Sequence, residues 1–146
     1  MKKHDQPIIV EQSFNAPIER VWNAITDVAQ MRQWYFDNIP AFKPEVGFET
    51  QFDVQTEQRI FRHIWKVTEV VPQKLISYTW KYEGYPGDSQ VMFELFKGNQ
   101  STKLRLTHQI KESFPQDIPE FSRESGIEGW KYFIQNSLKE FLDKSA

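Results

Sequence analysis

The chain has 146 residues, enough for one domain with one sizeable core, and a formal net charge of −2 from 18 basic and 20 acidic side chains. No block of like charge stands out, which argues against nucleic acid or an anionic membrane as the main partner. The lack of cysteine excludes disulfides and cysteine-bearing metal sites, and the early apolar run Ile8-Ile9-Val10 is far too short for a signal peptide or a membrane span. The expectation is a soluble, cytoplasmic protein forming a single domain over residues 1–146.

Residues 8–14 are rich in Ile and Val and read as a strand. Pro17 suits the first turn of a helix, where its missing N–H costs nothing. Ile18, Val21, Trp22 and Ile25 then recur at i, i+3, i+4 and i+7, one apolar helical stripe. Asp27 followed by Gln30 resembles a capping box and predicts a second short helix to about Trp34. Residues 37–46 carry Pro40 and Pro44 and read as a loop.

Five alternating segments follow. Gly47 to Val54 sets Phe48, Phe52 and Val54 on one face, and residues 60–70 do the same with Phe61, His63, Trp65 and Val67. Residues 75–83 group Ile76, Tyr78, Trp80 and Tyr82, residues 89–97 group Val91, Phe93 and Leu95, and residues 102–109 group Leu104, Leu106 and His108. Turn residues separate the last four segments: Pro72-Gln73-Lys74, Gly84-Tyr85-Pro86-Gly87-Asp88 and Gly98-Asn99-Gln100. Short turns between alternating strands predict an antiparallel meander with one dry face. Residues 111–119 read as a proline-bearing loop. Trp130, Phe133, Ile134, Ser137, Leu138, Phe141 and Leu142 then keep helical spacing; because glycine inside a helix costs roughly 1 kcal/mol relative to Ala, either the helix starts near Gly129, the simpler reading, or Gly126 and Gly129 leave room for a ligand or for close packing.

This order predicts an α+β fold in which a curved antiparallel sheet wraps a long C-terminal helix, with two short helices after the first strand. Such a grip can leave a gap between sheet and helix, and aromatic residues make up 15 % of the chain, from 12 Phe, 5 Trp and 5 Tyr. The candidate lining is Trp34 from the opening helices, Phe52, His63 and Trp65 from the first two meander strands, Tyr78, Trp80, Phe93, Leu106 and His108 from the others, and Trp130 and Phe133 from the closing helix. For most of these, plain core packing competes with ligand contact.

His63 and His108 sit in the apolar phase of their strands. They read either as a pair that orients a ligand or supplies a general base, or, as the sequence favours, as core-edge histidines satisfied by a neighbouring carbonyl or hydroxyl. A shared metal is not expected, since strands three spacings apart lie roughly 14 Å from one another and no third ligand is evident. Arg59 and Arg62, at a strand start, read either as contacts for an acidic ligand at the cavity mouth or, as the sequence favours, as exposed salt-bridge partners. Ser77, Ser89 and Ser137 have no His–Asp arrangement the sequence supports, and neither a phosphate loop nor a His-Glu-x-x-His helix is present. No catalytic set, cofactor or metal is assigned.

The ordered set Ala16-Pro17-x-x-x-Val21-Trp22, Thr26-Asp27, Trp34, Gly47, Thr79-Trp80 and Gly129-Trp130 resembles the helix-grip superfamily of birch-pollen-allergen-like, START-like and polyketide-cyclase-like domains, often called SRPBCC. Within it, the chain is most similar to the heat-shock-protein-ninety ATPase activator homologue family. The resemblance implies a sheet gripping a C-terminal helix over a hydrophobic cavity, in a superfamily that includes lipid carriers, cyclases and resistance proteins. Three functions follow as expectations: binding of a small hydrophobic molecule such as a lipid, aromatic or polyketide-like compound; a cyclase or hydrolase using His63, His108 or Tyr78; or a stress-response module that contacts a chaperone. The co-chaperones of this family carry a further N-terminal domain for which this chain has no room, which weighs against the third.

Overall fold

A computed structural model describes residues 1–144 of the chain. Strand β1 (Ile8–Phe14) leads into helices α1 (Ile18–Thr26) and α2 (Val28–Trp34), and a loop then delivers the meander β2 (Glu49–Gln55), β3 (Ile60–Val71), β4 (Leu75–Tyr82), β5 (Asp88–Lys97) and β6 (Thr102–Glu112). A short 3-10 turn (Pro119–Phe121) precedes the C-terminal helix, which is built from α3 (Arg123–Lys131), a π-helical stretch (Tyr132–Ser137) and α4 (Leu138–Lys144). The six strands form one sheet in the order β1-β6-β5-β4-β3-β2, every pair antiparallel.

Alternation decides which face is dry. Phe52, His63, Trp65, Tyr78, Trp80, Phe93, Leu106 and His108 are all buried, whereas their neighbours along the strands, Ser77 excepted, are partly or fully exposed. A register shift between Val67 and Glu69 interrupts the β3–β4 ladder, and opposite it Ile76, Ser77 and Tyr78 are buried in succession, the Ser77 hydroxyl donating to the Val91 carbonyl at 3.0 Å. Helix α1 buries Val21, Trp22, Ala24 and Ile25. The Asp27 side chain accepts the Gln30 backbone N–H at 3.3 Å, which starts α2 as its sequence suggests.

Two expected boundaries move. Strand β6 runs on to Glu112 rather than ending at 109, and the C-terminal helix starts at Arg123, not near Gly129. The helix starts early because Ser122 caps it, its hydroxyl accepting the Ser125 N–H at 3.1 Å. Gly126 and Gly129 therefore lie inside the helix and bear their helix cost. At Gly126 the reason is close packing, since a Cβ there would sit 3.1 Å from the Ile8 side chain and 3.2 Å from the Met1 sulfur. At Gly129 a Cβ would meet nothing within 4 Å. No described helix is long and apolar enough to cross a membrane.

Candidate functional site

The gap between sheet and C-terminal helix is real, and most of it is filled by the chain itself. Trp34, Tyr35 and Phe36 follow one another at the end of α2, and the rings of Tyr35 and Phe36 turn inward. Tyr35 stacks flat on Trp34, with centroids 4.5 Å apart and planes 2° off parallel, and it touches Trp65 and Phe93 of the sheet and Trp130 and Phe133 of the helix. Phe36 packs on Phe52, His63, Trp65, Trp80 and Phe133. Phe42 adds a third ring against Trp65 and Tyr78. Of the predicted residues, Leu106 is buried, and Phe52, His63, Trp65, Tyr78 and Phe93 are buried on the inner face and pack there on side chains of residues 35–42. Periodicity said nothing of that segment. A signal was present in the run Trp34-Tyr35-Phe36, because three large aromatics in a row directly after a helix are costly to leave in water.

What stays open is a void of about 130 Å³ toward one end of the helix. Of the predicted residues, Trp80, His108, Trp130 and Phe133 line it; Tyr82, Gly126 and Gly129 line it as well. A separate cleft of about 490 Å³ lies at the surface by the end of α2, with a mostly polar wall that includes Arg32, Asn38, Asp53 and Tyr132. Trp34 belongs to that cleft and not to the void. Its indole N–H donates to the Ala24 carbonyl at 2.7 Å, and Ser137 donates its hydroxyl to the Trp34 carbonyl, so Trp34 ties α1, α2 and the C-terminal helix together. The rings of Tyr35 and Phe36 form part of the cleft wall and reach on to Trp80, Trp130 and Phe133, so they separate the cleft from the void.

The hydrogen bonds of His108 define its state. The Trp130 indole N–H, which can only donate, points at His108 Nδ1 at 3.1 Å. Nδ1 is therefore the acceptor, and the proton sits on Nε2, which donates to the Ser89 hydroxyl at 2.8 Å; Ser89 in turn donates to the Trp80 carbonyl at 2.7 Å. Burial lowers the pKa of this imidazole to about 3, so it stays neutral. Ser89 and His108 do come together, unlike anything the sequence suggested. Yet the tautomer is the reverse of the one a nucleophilic serine needs, because Nε2 is already protonated and faces the hydroxyl as a donor.

His63 donates from Nδ1 to the Phe61 carbonyl at 3.1 Å, and burial lowers its pKa to about 4. The Trp80 ring stands between the two histidines, 5.2 Å from His63 and 6.0 Å from His108, so they share no ligand position. Among the described residues no group of three or more His, Asp or Glu is arranged to hold a metal. Burial also pushes the Tyr78 hydroxyl far above its usual range. The Trp65 indole N–H is buried without a hydrogen-bond partner among the described residues.

The arginines at the start of β3 form ion pairs. Arg62 binds Asp53 at 2.9 Å and Glu83 at 3.1 Å, and its hydrogen bond holds the Asp53 carboxyl below the usual carboxylate range. Arg59 binds Glu120 at 2.8 Å beside the void.

Comparison with known proteins places this geometry in a family. Solved structures match over almost their whole length: a protein from Mesorhizobium loti at 27% identity, with 97% of this chain and 99% of that chain covered and a TM-score of 0.73; a protein from Chromobacterium violaceum at 20% identity, with 94% and 96% covered and a TM-score of 0.78; and the Aha1 dimer from Colwellia psychrerythraea at 22% identity, with 94% and 96% covered and a TM-score of 0.71. No protein with a curated description matches the chain. The family model described as Activator of Hsp90 ATPase homolog 1-like protein matches residues 15–143, and the chain belongs to that family.

Proposed function

We propose that the chain binds a small, largely apolar molecule between its sheet and its C-terminal helix. The observation that carries this reading is the void of about 130 Å³ walled by Trp80, Tyr82 and His108 on one side and Gly129, Trp130 and Phe133 on the other. Apolar walls with a few fixed polar atoms are the usual make-up of a small-molecule site. Gly129 supports the reading too: the helix bears the cost of a glycine at a point where no neighbouring atom requires one.

The same geometry disfavours acid–base chemistry. Both nitrogens of His108 are engaged, His63 is neutral and covered by Phe36 and Phe52, and the Tyr78 hydroxyl is held far from ionisation. Contact with a chaperone is the second reading, supported by the description of the family. A pull-down with a chaperone of the Hsp90 class as bait tests it.

A thermal-shift screen over lipids, sterols, flavonoids and single-ring aromatics tests the first reading. A ligand at 100 times its Kd adds about 2.7 kcal/mol of stability, which is a clear shift. If no class shifts the transition, the void is a packing defect and the proposal fails.

A further inference from the structure

We infer that the ligand is a one-ring molecule with an acceptor oxygen that is received by the hydroxyl of Tyr82. This deepens the proposed function and rests on it. The size limit comes from the void itself. An apolar cavity of about 150 Å³ holds one benzene, and this void measures about 130 Å³. The void is open to solvent on one side, so a single ring can seat in it with its substituent toward the mouth, whereas a fused polycycle cannot enter whole while Tyr35 and Phe36 stand where they do.

The polar limit comes from counting hydrogens on the wall. The Trp80 indole N–H donates to the Tyr82 oxygen at 2.7 Å. The Trp130 indole N–H is spent on His108 Nδ1, and the His108 Nε2–H on Ser89. Glu120 at the edge is engaged by Arg59 at 2.8 Å and Thr56 at 2.9 Å; the Met1 ammonium spends one of its three hydrogens on the Phe121 carbonyl at 2.7 Å, and the exposed Ser125 hydroxyl stands at the rim. Tyr82 accepts from Trp80 but has no acceptor for its own hydrogen among the described residues. A phenol that accepts one hydrogen bond is polarised to donate a stronger one. Burial raises the pKa of this phenol to about 12, so it keeps its proton at neutral pH. The wall therefore offers a flat apolar slot between Trp80, Trp130 and Phe133 with the Tyr82 hydroxyl as the donor beside the rings, which matches an aryl ketone, aldehyde or ether better than a hydrocarbon.

The test compares acetophenone with α-methylstyrene, in which a methylene replaces the carbonyl oxygen at nearly constant shape. Binding is read by calorimetry, and the carbonyl stretch of bound acetophenone by infrared spectroscopy. The wild-type protein is expected to prefer the ketone about five- to tenfold, the value of one neutral hydrogen bond, with the carbonyl stretch moved to lower wavenumber. Trp80→Phe keeps this preference, because Tyr82 still donates. The double variant Trp80→Phe/Tyr82→Phe loses it, since neither the phenol nor a freed indole N–H remains. Gly129→Leu fills the void and abolishes binding of both compounds while the protein stays folded.

An equal affinity for the two compounds, or an unshifted carbonyl stretch, overturns the inference without needing any variant. So does a preference that survives in the double variant. If only long-chain lipids or polycycles bind, this inference falls and the proposed function stands. If nothing binds, both fall.

Discussion

The hydroxyl of Tyr35 lies 2.9 Å from the hydroxyl of Tyr78, and this single hydrogen bond joins the end of α2 to the middle of the sheet inside the core. Both side chains are buried, and no other hydrogen-bond partner for either hydroxyl is present among the described residues. A buried donor stripped of its partner costs about 1–3 kcal/mol, whereas removing both partners together is close to neutral. Tyr35→Phe and Tyr78→Phe are each expected to lower stability by about 1–2 kcal/mol. The double variant is expected to lie within about 1 kcal/mol of the wild type, well short of the sum of the two. Urea denaturation of the four proteins measures this coupling, and additive losses would show that the two hydroxyls do not depend on each other.

Phe36 is the thinner part of the partition between the surface cleft and the inner void. It is half-buried and touches Phe133, which lines the void, and Phe52 at the sheet edge. Phe36→Ala is expected to cost about 2 kcal/mol or more through lost packing, and to merge the two spaces. The wild type then accepts acetophenone and rejects 2-acetylnaphthalene, while Phe36→Ala accepts both. If the two-ring ketone binds the wild type as well as the single-ring one, Phe36 does not limit the site.

Most of the frame was readable because it rests on periodicity. The alternation in residues 60–67, 75–82 and 102–108 put the correct side chains on the inner face, since a strand repeats every two residues regardless of what covers it. The turns at Gln73 and Gln100 were readable too, and both residues adopt positive φ, each 63°. What escaped was set by segments without a period. Tyr35, Phe36 and Phe42 lie in or beside a loop, where no spacing rule says which ring turns inward. The early start of the C-terminal helix is hidden in the sequence because Gly126 and Gly129 look like helix breakers, while the signal that overrides them is Ser122, a good cap three residues before Ser125. The pairing of Ser89 with His108 needed the β5–β6 register, which sets Ser89 opposite Ile110 and His108 opposite Val91.

Gly87 is required by its surroundings as well as by its backbone. Its φ is +122°, and a Cβ there would fall 2.3 Å from Cδ1 of Phe114, which is buried. Gly84 in the same turn has φ +83° but open space around it. Gly84→Ala is therefore expected to cost about 1 kcal/mol from backbone strain alone, and Gly87→Ala appreciably more, because the Phe114 ring must also move. Thermal denaturation ranks the two; equal losses would mean that the ring gives way without cost.

His63 and His108 together are expected to make the fold sensitive to mild acid. In the folded protein their pKa values are lowered, to about 4 and about 3, whereas in the unfolded chain they return to about 6.5. Below that value the unfolded state takes up protons that the folded state refuses, so stability falls as pH falls. The loss begins near pH 6.5 and grows down to the folded pKa of each group, with a slope of about 1.4 kcal/mol per pH unit for each histidine. Ion-paired carboxylates such as Asp53, whose pKa is also lowered, add their own loss only at more acidic pH. His63→Gln is expected to halve the slope between pH 6 and about 4.5, whatever it does to stability at neutral pH. The same change at His108 also breaks the link from Trp130 to Ser89, so it should lower stability at pH 7 while flattening the acid limb. Urea midpoints measured from pH 7 to 4.5 decide the matter: a wild-type curve that is flat over this window would mean that neither imidazole is held neutral by the fold.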